Sequence, residues 1–251
     1  MIETVYHIKG APRIALISDM HGREGGEALA SLRKNQPEII CITGDIIYGS
    51  FPDNDVSPLF SQEHVLPFLA ACAGIAPTYL SLGNHELVLD AEDIAEIGKT
   101  GVTVLDNSWE QRDGLVIGGW TSAAVTDYRQ TKPQGSGKRY PWPEHHEVVR
   151  KPETGWLEAY VQEKGYHILL SHHPEYYPML PEGVELMLSG HAHGGQIRLF
   201  RRGLFAPGQG WLPRWTKGIY DGRMVVSAGL ANTAAPVPRL FNPTEIVYTV
   251  P

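Results

Sequence analysis

Residues 13–21, RIALISDMH, decide the fold together with two later runs of the same build, EIICITGD at 38–45 and TYLSLGNHE at 78–86. Each run opens on short, apolar, partly β-branched sequence and ends in polar residues. That pattern reads as a strand buried on both faces, with its functional groups at the carboxyl end. Between the runs, 25–35 and 61–73 read as helices stopped by Pro37 and Gly74. The order βαβαβ predicts parallel strands joined by right-handed crossovers.

Working outward, 90–99 reads as a further helix. Short strands with glycine turns follow at 102–105, 115–120, 167–171, 185–189, 196–200, 224–227 and 246–250. They predict a second, more antiparallel sheet. Residues 126–152, rich in Pro, Gly, Lys and aromatic residues, read as a long surface loop or lid. Trp120, Tyr128, Tyr140 and Trp142 lie on or beside it, where ordinary packing competes with a role as a wall for a base or acyl chain. No repeat, low-complexity tract or linker interrupts the chain, so residues 1–251 are expected to form a single domain.

Composition narrows the partners. Hydrophobic residues at 42% and charged residues at 20% describe a folded chain rather than a disordered one. A net charge of −7 argues against an extended DNA or RNA partner. It leaves a small anionic substrate open, because bound cations dominate the local field. Cys41 and Cys72 sit in apolar runs without metal-type spacing and read as buried free thiols. With no leader-like start and no apolar run of about 20 residues, the expectation is a cytoplasmic protein without a membrane span. Oligomeric state leaves no trace in the sequence.

The polar strand ends carry the chemistry. Asp19 and His21, Gly44–Asp45, Gly83–Asn84–His85–Glu86, and Gly190–His191–Ala192–His193 all follow strand-like runs. Ligands of open α/β sheets bind beyond such ends, so these tails should converge. Residues two apart on extended backbone project to one side, which would let Asp19 and His21 share an ion and turn His191 and His193 inward together. Carboxylate, imidazole and amide oxygen without thiolate suit Mn, Fe, Zn or Ni rather than Ca. His7, His64 and His167 lack strand-end partners and read as surface or structural residues. His145–His146 reads as a solvated pair, and Gly135–Lys138 lacks the context of a phosphate loop.

In this order, Asp-x-His, Gly-Asp, Gly-Asn-His-Glu, His and Gly-His-x-His, the chain resembles the calcineurin-like metallophosphoesterase superfamily over residues 19–193. The block 191–196 and the tail 227–246 are similar to a bacterial subgroup of phosphodiesterases and UDP-2,3-diacylglucosamine pyrophosphatases. Ile46–Ile47–Tyr48 after Asp45 differs from the Asp-Arg-Gly of the Ser/Thr protein phosphatases. The resemblance implies a four-layer α/β/β/α sandwich of two mixed sheets, the metallophosphoesterase fold. It implies two divalent transition-metal ions, Mn or Fe foremost and Zn or Ni as alternatives. Asp19, His21 and His193 would hold one, Asn84, His172 and His191 the other, with Asp45 between them. His85 would protonate the leaving group.

The implied activity is hydrolysis of a phosphodiester or pyrophosphate bond in a small substrate, nucleotide- or lipid-linked, by metal-activated water. Phosphomonoesterase and nuclease are the alternatives within the fold. A metal-binding interaction scaffold is the alternative outside enzymes, and the presence of His85 with every expected ligand weighs against it. Arg23, Arg129, Lys138 and Arg139 are the candidate contacts to substrate phosphate.

Overall fold

The computed structural model describes residues 1–48, 57–131, 151–200, 202–231 and 238–251. Along the chain, β1 (Ile2–His7) and β2 (Ile14–Ile17) precede helix α1 (Gly26–Asn35). Strand β3 (Ile39–Ile42) precedes α2 (Pro58–Ser61) and α3 (Val65–Ala73), and β4 (Thr78–Ser81) precedes α4 (Ala91–Lys99). Then β5 (Thr103–Leu105), β6 (Ser108–Arg112) and β7 (Leu115–Trp120) lead to α5 (Ala123–Thr131). After α6 (Leu157–Tyr160) come β8 (Tyr166–Ser171) and β9 (Leu186–Ser189). Two small ribbons pair β10 (Arg198–Leu199) with β11 (Arg202–Gly203), and β12 (Phe205–Ala206) with β13 (Gly210–Trp211). The chain closes with β14 (Gly218–Tyr220), β15 (Met224–Val226) and β16 (Glu245–Val250).

These strands form two six-stranded mixed sheets, β1-β16-β2-β3-β4-β5 and β14-β15-β9-β8-β7-β6. Strands β2 to β4 pair in parallel, as the βαβαβ reading requires, and β5, read from sequence as part of the second sheet, instead joins the first in parallel with β4. The second sheet departs from expectation. Its inner pairings, β15 with β9, β9 with β8 and β8 with β7, are parallel, and only the edge strands β14 and β6 run antiparallel. The inner strands are buried along nearly their whole length, which suits parallel pairing covered on both faces. Residues 246–250 also change sheets: β16 inserts into the first, parallel to β1 and antiparallel to β2. Residues 196–200, read as part of the second sheet, supply only β10 of a separate two-stranded ribbon. Strand β1 escaped the sequence reading because, as an edge, it is largely exposed and carries polar residues.

Alternation along the strands sorts the core into layers. Ala15, Ile17, Ile40 and Ile42 pack against Ala28, Leu32, Phe68 and Leu69 of the helices. Their neighbours Ile14, Leu16, Ile39 and Cys41 face Ile117, Ile168, Leu170 and Leu188 of the second sheet. The far side of that sheet, with Val116, Leu169 and Met187, is covered by Leu157, Tyr160 and Tyr176. The two sheets thus lie face to face, in keeping with the expected sandwich, and the outer cover of the second is made of short segments.

Two local expectations change. The segment read as a loop from residue 126 begins as helix, since α5 runs to Thr131, while Trp120 and Tyr128 are buried, which sets them in ordinary packing rather than in a substrate wall. The indole of Trp120 donates to the Glu153 carbonyl at 2.8 Å. Tyr140, Trp142, Lys138, Arg139 and His145–His146 lie outside the described residues. Both cysteines are buried and free. Among the described residues, no helix is long and apolar enough to cross a membrane.

Candidate metal centre

The polar residues that follow β2, β3, β4, β8 and β9 meet at one end of the two sheets. His193 Nε2 lies 3.3 Å from Asp19 Oδ1 and 3.4 Å from His21 Nε2, and His21 Nε2 lies 3.9 Å from the same Asp19 oxygen. A second triangle forms beside it, with His172 Nε2 at 3.1 Å from both Asp45 Oδ2 and His191 Nδ1. Donors that share one ion through bonds of about 2.1 Å stand roughly 3.0–3.4 Å apart at right-angle or tetrahedral geometry. Both triangles approach that spacing. Asp45 Oδ2 also stands 3.9 Å from His21 Nε2, so one carboxylate oxygen faces both groups.

The residues fit divalent cations for a further reason. Asp19 Oδ1 and Asn84 Oδ1 are buried acceptors with no hydrogen-bond donor. Buried polar atoms are ordinarily satisfied, and unmet ones gathered in one place point to an absent ligand. Asn84, which follows β4, is itself buried.

The backbone reaches this arrangement by a route other than extended strand. Asp19, His21, Asp45, His191 and His193 all have positive φ, between 44° and 63°. Asp and His tolerate the left-handed region better than most side chains, yet each such residue costs on the order of 1–3 kcal/mol unless its surroundings impose it. The pairs Asp19/His21 and His191/His193 do share a site, as their spacing suggested, but through tight turns. Close approach fixes two glycines. A Cβ on Gly190 would lie 1.7 Å from Ser18 Oγ, and one on Gly83 would lie 2.3 Å from Asp45 Oδ1.

Side chains that sequence reasoning passed over hold these turns. The buried carboxylate of Glu86 accepts from the N–H groups of Asp45 at 2.7 Å, Ile46 at 2.9 Å and Gly83 at 2.7 Å, tying the loops after β3 and β4 together. Its position at the end of the Gly-Asn-His-Glu run was the available signal. Asn242 Nδ2 donates to the His193 carbonyl at 2.7 Å, and Arg239 Nη1 donates to the carbonyls of Ala228 and Ala231. That tail returns the favour at the other turn, where the N–H of Ala231 donates to the Asp19 carbonyl at 3.0 Å.

Electrostatics differ from residue to residue. Burial lowers His21 to about 3, and it holds His191 and His193 well below the ordinary imidazole range. Burial alone would lower His172 too, but the Asp45 carboxylate against its ring raises it to about 10. Burial pushes the Asp45 carboxylate up, but His172, His85 and His21 together hold it well below the usual carboxylate range. Burial raises Asp19 to about 6 and Glu86 to about 7. The Nδ1–H of His172 donates to the Thr43 carbonyl at 2.7 Å, which turns Nε2 toward Asp45.

The remaining candidates sort around the centre. His85 presents Nε2 3.7 Å from Asp45 Oδ2, its ring lies 4.6 Å from that of His21, and its side chain stays 17% exposed, an opening toward solvent. His173 sits behind His191, ring to ring at 4.3 Å, with Nε2 2.8 Å from Ser122 Oγ and Nδ1 3.7 Å from Glu175. Arg23 is exposed just after His21, whereas Arg129 pairs with Asp106 at 2.5 Å. His7 and His64 lie at the surface, and His167 is structural, meeting the Tyr160 carbonyl at 3.1 Å.

Known proteins share this pattern. The family model described as calcineurin-like phosphoesterase matches residues 12–195. The uncharacterized protein YpbG of Bacillus subtilis is 26% identical over 97% of this chain and 83% of its own length. The phosphodiesterase YaeI of Escherichia coli is 29% identical over 74% of this chain, and the match spans 57% of YaeI. Among solved structures, the sulfate thiohydrolase SoxB of Thermus thermophilus superposes with a TM-score of 0.51 at 13% identity, over 86% of this chain and 51% of SoxB, a likeness of fold. A family match across well over half the chain, on the strands that carry these ligands, places the chain in the calcineurin-like phosphoesterase family of metal-dependent phosphoester hydrolases.

Proposed function

We propose that the chain, acting as a single domain, hydrolyses a phosphodiester or pyrophosphate bond in a small substrate at a dinuclear centre of Mn or Fe. The observation that carries this reading is the placement of Asp45 Oδ2, 3.1 Å from His172 Nε2 and 3.9 Å from His21 Nε2. Asp19, His21 and His193 would hold one ion and Asn84, His172 and His191 the other, with Asp45 available to both. The nitrogen and oxygen donors, without thiolate, suit these metals. When bound, such a pair of ions supplies Lewis acidity that lowers the pKa of water and neutralises phosphoryl oxygen charge.

The chain's own residues do the rest. Asp45 is pinned by Glu86 through its backbone, and its Oδ1 accepts from the His85 N–H at 3.0 Å, so ligand and acid move as one unit. His85 delivers a proton from its imidazole to the leaving oxygen, the general-acid task for which imidazole is the commonest side chain. Arg23, exposed beside the first turn, meets the substrate phosphate. The similarity to YaeI, described as a phosphodiesterase, supports a diester over a monoester.

The test is a rate comparison on protein loaded with Mn²⁺ or Fe²⁺, using an aryl phosphodiester, a nucleotide-linked pyrophosphate and an aryl monoester. A diester or pyrophosphate rate at least tenfold above the monoester rate is expected. The opposite ranking makes it a phosphomonoesterase, and inactivity on all three favours a scaffold. His85→Ala should keep both ions while kcat falls by about 10²–10⁴; unchanged turnover would remove its role as acid.

A further inference from the structure

Large apolar side chains gather outside the core on the ribbons that follow His193. Phe200 is fully exposed, Phe241 80%, Leu212 78% and Trp211 72%, with Leu199 and Leu240 close to half exposed. They sit on neighbouring segments. The Arg198 N–H donates to the Leu240 carbonyl, Leu204 N–H to the Ile197 carbonyl and Leu212 N–H to the Leu204 carbonyl, while β10 pairs with β11. Adjacent strands lie about 4.8 Å apart, so these segments make a continuous platform. Phe205 and Trp211 pack edge to face at 5.6 Å.

The charge of this region opposes that of the whole chain. Residues 194–220 contain Arg198, Arg201, Arg202, Arg214 and Lys217 and no Asp or Glu, in a protein of net charge −7. Lys217 is neutralised by Glu245. Arg202 and Arg214 are exposed, and Arg214 lies over the Trp215 ring at 4.9 Å. Protruding Phe, Leu and Trp beside arginines is the composition of a surface that enters the headgroup region of an anionic bilayer, with apolar tips reaching acyl chains and guanidinium groups meeting phosphates. A symmetric contact with a second copy would set the arginines of both copies against each other. A nucleic acid would leave the leucines without a partner.

We infer that this platform docks the protein on an anionic lipid surface. It grows from the turn that bears His193, since the Leu204 N–H donates to the Gly195 carbonyl at 3.1 Å. Docking therefore brings the metal centre close to the headgroups while leaving its ligands untouched.

The metal-loaded full chain is sedimented with vesicles of phosphatidylglycerol and phosphatidylethanolamine, and with vesicles of phosphatidylcholine alone, at low and high salt. Binding to the anionic vesicles at least tenfold over phosphatidylcholine, weakened by salt, is expected. Phe200→Asp with Trp211→Asp should lower it tenfold or more, and Arg202→Glu with Arg214→Glu by about fivefold or more per arginine. Both pairs should hydrolyse a soluble diester at the wild-type rate, which shows them folded. Failure of the wild type to bind anionic vesicles, or wild-type binding by either pair, overturns the inference. So do a dimer in solution that Phe200→Asp with Trp211→Asp disperses, and binding of an oligonucleotide in preference to vesicles.

Discussion

The two ligand triangles use the same residue types and are anchored in different ways. In the first, His21 and His193 stack at 5.2 Å with their planes 17° apart, and burial keeps both rings neutral. In the second, His172 is gripped from both ends, by the Thr43 carbonyl at Nδ1 and by Asp45 at Nε2, and that carboxylate raises it to about 10. The first group can take a cation without losing a histidine proton, and the second must release one. On the proposed assignment, shape would govern the first position and proton competition the second. Asp45 is where the two meet.

Breaking that meeting point should have the largest effect. Asp45→Asn removes the charge that faces both groups, so metal content should drop below one ion per chain and kcat/KM should fall by at least about 10³. Elemental analysis and turnover on the same sample check it, and a variant that keeps two ions would show that the groups do not depend on Asp45. A smaller effect separates the groups. His193→Ala should empty the first position alone and His172→Ala the second alone, each weakening its own ion by about 10²-fold and the other by less than tenfold. Chelator competition reads this, and equal loss of both ions from either variant would dissolve the distinction into one cooperative site.

Much of the fold was legible because the first strands are buried on both faces, and a run such as IALI or IICI has few other homes. Edges were not. Strand β1 alternates exposed and half-buried residues, and the partners of β16 are set by a crossover that no local pattern records. The candidate ligands were legible from their order along the chain, since every one lies at a strand end. Their geometry was not: spacing suggested extended backbone, whereas Asp19, His21, Asp45, His191 and His193 turn through left-handed conformations. Such strain persists only where distant groups impose it, and Glu86, Asn242 and Arg239 impose it here through contacts up to 49 residues away in the case of Asn242 and His193. A sequence read locally carries no sign of those contacts.

The smallest predicted effect tests the comparison most directly. With a value of about 10 in the free protein, His172 carries its extra proton throughout the neutral range. An ion taking Nε2 must displace that proton. Between about pH 6 and pH 10, affinity at the second position should therefore rise roughly tenfold per pH unit. The first position should be nearly flat over the same range, because His21 and His193 are already neutral, and should weaken only as pH falls through about 6 and Asp19 takes up a proton. His193→Ala protein, which binds only the second ion, should release about one proton per ion at pH 7.5, and His172→Ala protein, which binds only the first, close to none. Calorimetry in buffers of different ionisation enthalpy measures both. Zero release from the His193→Ala protein would mean that Asp45 holds a neutral His172, and the two positions would then differ in anchoring but not in their response to pH.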